Sequence, residues 1–274
     1  MIEDIAANLV NLKKEFAKMY DGKSQIQEII PTKTCDLFPI EQHHLELLHQ
    51  FAVKNPIYYN SYDLEILGVS CVVYEGDINK YWLNSIKYGS SHAPFSPTWI
   101  MSAFVGVLIA KEMGFSEIVD IGSGDGRIAF CAKVLNLESY SIELDDMLVE
   151  LQNLLCTTLD FHPFRSDATS FDYSKLNLSF PMFFIGGLAQ MGGIQLASGV
   201  LENMLSIDEM RHHAGWVFAG TVSPKYQPDE RGDAGWGTLL EKNNLKSVRT
   251  VFLPTVWTFS EPDETPYVFA KFSK

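Results

Sequence analysis

Val119-Asp120-Ile121-Gly122-Ser123-Gly124-Asp125-Gly126-Arg127 is the stretch on which the reading of this 274-residue chain turns. An apolar run ends at Ile121 and a helical pattern begins near Gly126, so a strand feeds a glycine turn and the turn feeds a helix. The turn has the form G-x-G-x-G, with Gly122, Gly124 and Gly126. Glycine reaches positive φ without a Cβ penalty and leaves room for a ligand to approach the backbone. The helix start behind the turn carries N–H groups with no partner inside the helix. A tight structural turn would explain the glycines alone. A ligand-binding turn also needs partners on the neighbouring strands.

Working outward, the spacing predicts a helix over 97–113, opened by Pro97 and stopped by Gly114, then a strand over 117–121. Helices follow over 126–135, 145–159 and 194–205, with strands over 139–143, 161–166, 182–185 and 215–220 between them. Strand alternating with helix implies a parallel sheet with right-handed crossovers. The last two predicted strands, 247–259 and 267–272, are joined by a short acidic turn, which permits only antiparallel pairing. The predicted fold class is therefore α/β. It is a Rossmann-like, doubly wound, seven-stranded sheet, mostly parallel, with one antiparallel strand near its C-terminal edge.

Upstream, Ile2, Ile5, Ala6, Leu9, Val10, Leu12 and Phe16 form a helical stripe, broken at Asp21-Gly22-Lys23-Ser24. A second helix is predicted over 40–53, ended by Asn55-Pro56, and 64–74 reads as a strand or buried hairpin. Residues 1–90 are predicted to be a mostly helical N-terminal cap, and residues 91–274 the ligand-binding domain.

Three features favour a ligand at the turn. The second strand of the sheet ends in Ile142-Glu143, about 20 residues past the glycines, where an acid reaches ribose hydroxyls. The third is followed by Ser166-Asp167-Ala168, where an acid can accept the amino group of adenine. Asp120 and Asp125 suit a cationic ligand better than a pyrophosphate, which they would repel. A nicotinamide enzyme would have G-x-G-x-x-G, with its third glycine at the position of Arg127. Here the third glycine is Gly126, and the carboxylates favour a sulfonium and an α-amino group.

At these residues the sequence resembles the class I S-adenosylmethionine-dependent methyltransferases, over about residues 94 to 274. The resemblance implies that Asp120 and Gly122, Ser123, Gly124, Asp125 and Gly126 hold the methionine part of S-adenosylmethionine. It implies Glu143 at the ribose and Asp167 with Ala168 at the adenine. Tyr88-Gly89-Ser90-Ser91-His92-Ala93-Pro94-Phe95-Ser96-Pro97-Thr98 is similar to the P-[YF]-V-P-T-P stretch of archaeal protein-lysine methyltransferases. It is loosely similar to the matching segment of protein L-isoaspartyl methyltransferases, where the segment helps wall the cofactor pocket. A proline-punctuated linker is the other reading, and both stay open. One departure is plain. Phe184-Ile185-Gly186-Gly187-Leu188-Ala189-Gln190 stands where many nucleic-acid amine methyltransferases carry N-P-P-Y or D-P-P-Y. This disfavours DNA base methylation and leaves no catalytic base to name.

Composition narrows the partners. A formal net charge of −13 repels phosphate backbones and anionic membranes and attracts cations, although acidity also serves solubility. The reading expects a basic protein or a small cationic amine as substrate and disfavours nucleic acid. The loops over 221–237 and 260–265 carry Asp229, Glu230, Asp233, Glu261, Asp263 and Glu264, either a solvated surface or an acidic rim. The longest apolar run, Trp99 to Ala110, falls short of the ~20 residues of a membrane span. Met1-Ile2-Glu3-Asp4 carries acids where a secretory signal has bases. Cys35, Cys71, Cys131 and Cys156 form no C-x-x-C pair and suit a reducing cytoplasm. No metal is expected, because His43-His44 and His212-His213 are adjacent pairs without a completing acid or cysteine cluster. His92 could act as a base or be an ordinary hydrogen-bonded histidine, and Trp216, Trp236 and Trp257 read as core. Two other functions fit the pattern: aminopropyl or aminocarboxypropyl transfer on the same fold, and a non-catalytic cofactor-binding partner protein. The methyl acceptor, the oligomeric state and the role of residues 1–90 are not legible.

Overall fold

The structure, a computed structural model, describes residues 2–88, 94–157, 161–189, 192–207, 210–220, 232–256 and 264–273. Ile2–Met19 form helix α1, whose Ile5, Leu9, Leu12 and Phe16 are all buried, the apolar face that helical spacing implies. Strand β1 (Ile26–Pro31), helix α2 (Gln42–Lys54), strands β2 (Tyr58–Ile66) and β3 (Val69–Gly76) and helix α3 (Asn79–Ser85) follow. The three strands pair antiparallel in the order β1-β3-β2. β2 and β3 are a hairpin turning at Leu67-Gly68, both at positive φ (54° and 74°), as a two-residue turn matching the strand twist requires.

The N-terminal part thus carries a three-stranded sheet among its helices, of which the sequence showed only the strand or hairpin over 64–74. β1 shows why. All six of its residues are buried, yet Gln27 and Glu28 are polar. A strand buried on both faces lacks period-two alternation, and two polar residues inside it hide the apolar run as well.

From residue 100 the chain alternates as predicted. α4 (Ile100–Glu112), β4 (Glu117–Ile121), α5 (Arg127–Val134), β5 (Glu138–Glu143), α6 (Asp146–Leu155), β6 (His162–Arg165) and β7 (Pro181–Ile185) come first. Then follow α7 (Gly193–Met204), α8 (Met210–His213), β8 (Gly215–Ala219), α9 (Gly237–Lys242), β9 (Leu245–Pro254) and β10 (Glu264–Phe272). The seven strands lie in the order β6-β5-β4-β7-β8-β10-β9. Neighbours from β6 to β8 are parallel. β10 runs antiparallel to β8 and β9, which gives the doubly wound sheet with one antiparallel strand beside the edge. β4 and β7 are buried at every position, because helices cover both faces. Trp216 and Trp236 belong to this core, with Phe183 stacked on Trp216 at 4.7 Å; Trp257 lies outside the described residues. Among the described residues no helix is long and apolar enough to cross a membrane.

α4 starts at Ile100 rather than at Pro97. Its first N–H groups need partners, and the Ile100 N–H donates to Glu28 Oε2 at 2.9 Å. A residue 72 positions upstream therefore sets this boundary.

Glu28 also meets Arg127, in the first turn of α5, which is only 2% exposed. Arg127 donates from Nε to Asp125 Oδ1 (2.8 Å), from one terminal nitrogen to Asp125 Oδ2 (2.5 Å), and from the other to Glu28 Oε1 (2.5 Å) and the Thr98 carbonyl. Glu28 Oε1 accepts from the Tyr58 hydroxyl (2.9 Å), and Asp125 Oδ2 from Asn55 Nδ2 (2.9 Å). Burial pushes the Glu28 carboxyl above its ordinary value, and Arg127 opposes that shift. β1, α2 and β2 are thereby tied to the glycine turn through one cation. Removing one partner of a buried charge cluster costs about 3–5 kcal/mol, because the remaining charges stay buried and unpaired. Arg127→Met should lose that much stability in urea unfolding. Adding Glu28→Gln should recover part of the loss, since one of the two uncompensated carboxylates becomes neutral.

Candidate active site

The strand order reverses at β4, with β5 on one side and β7 on the other. Ligands of open α/β sheets bind in the crevice at such a point, beyond the carboxyl ends of the strands. The two strand ends approach closely here. The Gly186 N–H donates to the Ile121 carbonyl at 2.8 Å, and a Cβ on Gly186 would stand 2.7 Å from the Gly122 carbonyl oxygen. The position excludes any side chain, and this is the segment where the amine-methyltransferase motif is missing. Gln190, the last residue of that segment, lies outside the described residues.

The glycine turn has the geometry its spacing implies: Gly122, Gly124 and Gly126 sit at φ 64°, 58° and 78°. Its side chains are divided between the protein and the crevice. The Ser123 hydroxyl is bonded to that of Ser141 (2.8 Å) and accepts from Gln152 Nε2 (2.9 Å), so it braces the turn against β5 and α6. Gln152 Nε2 also donates to the Gly124 carbonyl at 2.7 Å. A Cβ on Gly124 would lie 2.8 Å from the Phe95 ring, so the residue is confined by Phe95 as well as by its φ. Asp125 faces Arg127 and Asn55, and its charge is met inside the protein.

Asp120 differs. It is 2% exposed, and its Oδ2 has no hydrogen-bond partner among the described residues. Burial pushes its carboxyl well above its ordinary value; the Ala129 backbone N–H works against this, and the nearby charges of Glu143 and Asp125 add to it. Glu143, at the end of β5, accepts from the N–H groups of Leu144 (2.8 Å) and Asp145 (2.9 Å) on Oε1 and of Gly124 (2.8 Å) on Oε2. Burial outweighs these three bonds and raises its carboxyl above the ordinary value. Asp167, after β6, accepts on Oδ1 from the Thr169 N–H (2.9 Å) and hydroxyl (2.7 Å). Ala168 is buried beside it, its carbonyl held by the Tyr173 hydroxyl at 2.8 Å.

These residues line one cavity of about 630 Å³. Eight of the nine predicted positions, Asp120, Gly122, Ser123, Gly124, Asp125, Glu143, Asp167 and Ala168, line it. Gly126 does not: it caps α5 and is turned against Gln152 of α6, from whose side chain a Cβ there would stand 2.9 Å. Among the described lining residues the charged ones are Asp120, Asp125, Glu143, Asp145, Asp167 and Arg127. Arg127 is committed to Asp125 and Glu28, so among the described residues the cavity has a net negative charge and no cation to offer a phosphate.

Sequence reasoning missed the contribution of the N-terminal unit. Trp82 and Ser85 of α3 also line the cavity. Asn84 Nδ2 donates to both oxygens of Asp145 (2.8 and 2.7 Å), the residue that caps α6. Pro94-Phe95-Ser96-Pro97-Thr98 lines the cavity too, as a pocket-wall reading of that segment requires; His92 lies outside the described residues. Of the acidic loops, 221–231 and 260–263 lie outside them as well. Glu264 is described and faces Lys14 at 3.6 Å. Among the described residues no group of three or more His, Cys, Asp or Glu side chains is placed to hold a metal ion.

No family model matches this chain, and no curated protein matches it. Among solved structures it is similar to magnesium protoporphyrin IX methyltransferase from Synechocystis PCC 6803, at 11% identity and a TM-score of 0.44, over 64% of this chain and 78% of that one. It is similar to the glycopeptide N-methyltransferase MtfA at 11% identity and a TM-score of 0.44, over 61% and 94% of the two chains. An S-adenosylmethionine-dependent methyltransferase from Clostridium acetobutylicum ATCC 824 gives 9% identity and a TM-score of 0.44, over 63% and 92%. Likenesses at this level say nothing of activity.

Asp120 carries a measurable consequence. Its folded-state carboxyl is raised, so above the ordinary carboxylate range the folded protein binds more protons than the unfolded chain. Stability therefore falls as pH climbs from that range through the raised value. Asp120→Asn removes the effect. At pH 7 the ligand-free variant should exceed the wild type by on the order of 1 kcal/mol, or about 2–4 °C in Tm. The gap should close as pH falls towards about 4. Melting curves across that range check it, and a wild type more stable than the variant at pH 7 contradicts it.

Proposed function

We propose that this chain is a class I S-adenosylmethionine-dependent methyltransferase whose acceptor is an amine of a protein or of a small cationic molecule. The observation that carries the reading is the buried Asp120 carboxylate. It has an unpartnered oxygen, stands at the switch point of a doubly wound sheet, and shares a cavity with Glu143 and Asp167 but with no free described cation. A buried carboxylate with an open oxygen is costly unless a ligand cation or N–H completes it.

The residues fit the group. Asp120 lines the cavity, and its unpartnered Oδ2 would receive the α-amino group of a methionine moiety. Glu143 keeps acceptor capacity on Oε2 for a hydroxyl, since a carboxylate has about four acceptor sites and three are used. Asp167 Oδ2 is not used by Thr169, which leaves it for an exocyclic amine. S-adenosylmethionine, when bound, supplies a methyl group activated by a sulfonium. The protein's task is to align the acceptor and exclude water.

The ends of β7, β8 and β10 form the other side of the cavity. Gly186, Gly187, Ala219 and Gly220 are small, and Thr98, Thr255, Thr265 and Tyr267 carry hydroxyls. No Lys or Arg stands among these residues, which suits a cationic or neutral acceptor and not an anionic one. An amine must lose its proton before it attacks, and desolvation against such a wall lowers an ammonium pKa. No side chain at Gly186-Gly187-Leu188 can serve as a base. That observation keeps a non-catalytic cofactor-binding protein as the second reading. The four free cysteines suit a reducing, cytoplasmic setting.

S-adenosylmethionine and S-adenosylhomocysteine should each raise the melting temperature, by about 2.7 kcal/mol of stability at a hundred times Kd. Nicotinamide dinucleotides should not. Incubation with methyl-labelled cofactor should label basic protein or small amines. Binding without transfer to any acceptor favours the second reading, and stabilisation by the dinucleotides alone overturns the first.

A further inference from the structure

We infer that Trp82, from the N-terminal unit, covers the nucleoside of the bound cofactor and is a binding residue of this site. The inference rests on the reading of the cavity as an S-adenosylmethionine site. Three observations converge on it. Trp82 lines the cavity and is 38% exposed, whereas Trp99, Trp216 and Trp236 are fully buried. Large aromatics left open to a pocket are where ligands find flat apolar surface. Ile78, Asn79, Trp82 and Ser85 line the cavity together, and their spacing puts them on one face at the start and along the length of α3.

The second observation is how α3 is fixed. Asn84 is held to both oxygens of Asp145. The Ser85 hydroxyl accepts from the Phe95 N–H at 2.8 Å, Tyr81 meets Phe95 edge-on at 6.1 Å, and Phe95 lies against Gly124. α3 is thus anchored at the loop after β5 on one side and at the glycine turn on the other. Those two loops are the ones whose N–H groups grip the Glu143 carboxylate, Gly124 from one and Leu144 with Asp145 from the other. A helix fastened to both spans Glu143, the residue that marks the ribose.

The third is chemistry. An indole beside a ribose-binding acid offers a π-face to a purine or its sugar, and base stacking on an aromatic tolerates any flat ring. Leu144 and Leu148 supply apolar wall to the same cavity. The contact is with adenosine and not with the sulfonium, so the neutral S-adenosylhomocysteine should use it as fully as S-adenosylmethionine does.

The experiment is a titration of the full chain with S-adenosylhomocysteine and with S-adenosylmethionine, read by tryptophan emission and by calorimetry, for wild type, Trp82→Phe and Trp82→Ala. Trp82→Phe should keep Kd within about threefold and lose most of the ligand-induced emission change. Trp82→Ala should weaken both ligands by about tenfold or more. Normal far-ultraviolet dichroism and melting are expected, since Trp82 is partly exposed. An undiminished emission change in Trp82→Phe, an unchanged Kd in a folded Trp82→Ala, or a loss confined to the sulfonium ligand each overturns the inference while the cofactor reading stands. Failure of wild type to bind either ligand overturns both.

Discussion

A guanidinium cannot shed its charge inside a protein, so a buried arginine obliges its surroundings to supply anions. Arg127 is such a residue, and the architecture of the site is arranged around it. It stands at the start of α5, directly behind the glycine turn, and its anions come from two places: Asp125 in the turn and Glu28 in β1. The fork geometry of the guanidinium fixes both directions at once. Glu28 then has one oxygen left to receive the first N–H of α4, and Asp125 has room for Asn55 at the end of α2. One cation thus sets the position of the turn, the start of a helix and the docking of the N-terminal unit. The core follows the same connection: Phe51 of α2 packs on Phe130 of α5 at 4.7 Å, one turn beyond Arg127.

With Arg127 spent on those two carboxylates, the remaining acids in the crevice have no internal cation among the described lining residues. Asp120 is the clearest case, because its Oδ2 is buried without a partner among the described residues. Its charge is a standing cost to the ligand-free fold, and the same charge is the source of attraction for a cationic ligand. Charged binding groups commonly trade stability for affinity in this way. The asymmetry between Asp125 and Asp120 is instructive. Two carboxylates five residues apart on the same strand-turn segment have opposite roles, one structural and one open to the crevice, and the difference lies in which of them faces Arg127.

The sheet was legible because its signals are local. The apolar run 117–121, the glycines and the alternation that follows need no distant partner to be recognised, and the short link between the last two strands forces their antiparallel pairing. The acids Asp120, Glu143 and Asp167 were legible for a related reason: strand ends in a doubly wound sheet all point to one edge, so position along the strand gives position in the site. In the N-terminal sheet the segment 64–74 was legible as a strand or hairpin, but β1 was not, because it hides Gln27 and Glu28 among its apolar residues. The burial of Glu28 makes sense only once Arg127 is known to lie across from it, and that of Gln27 once its amide is seen to donate to the Ser24 carbonyl and hydroxyl. Trp82 was missed for the same reason. Nothing in Asn79–Ser85 marks it as part of a site. Its role depends on Asn84 meeting Asp145, 61 residues away.

Glu143 shows how far a position-based assignment can be carried. A strand-end acid at this distance is expected to accept ribose hydroxyls. In the structure Oε1 already takes two backbone N–H groups and Oε2 takes a third, so one acceptor site is left and one hydroxyl can be bound strongly. Its larger duty is to hold the glycine turn to the loop after β5. Gly124, Leu144 and Asp145 would lose their acceptor together if the carboxylate were removed. A truncation at this position therefore perturbs the turn as well as any ligand contact, and a loss of affinity there would not by itself locate the ribose. Glutamine keeps one acceptor oxygen and replaces the other by an amide, which cannot accept from an N–H. The residue whose substitution isolates ligand contact from loop geometry is Asp167, whose Oδ1 alone is engaged by Thr169 and whose other oxygen carries no part of the turn.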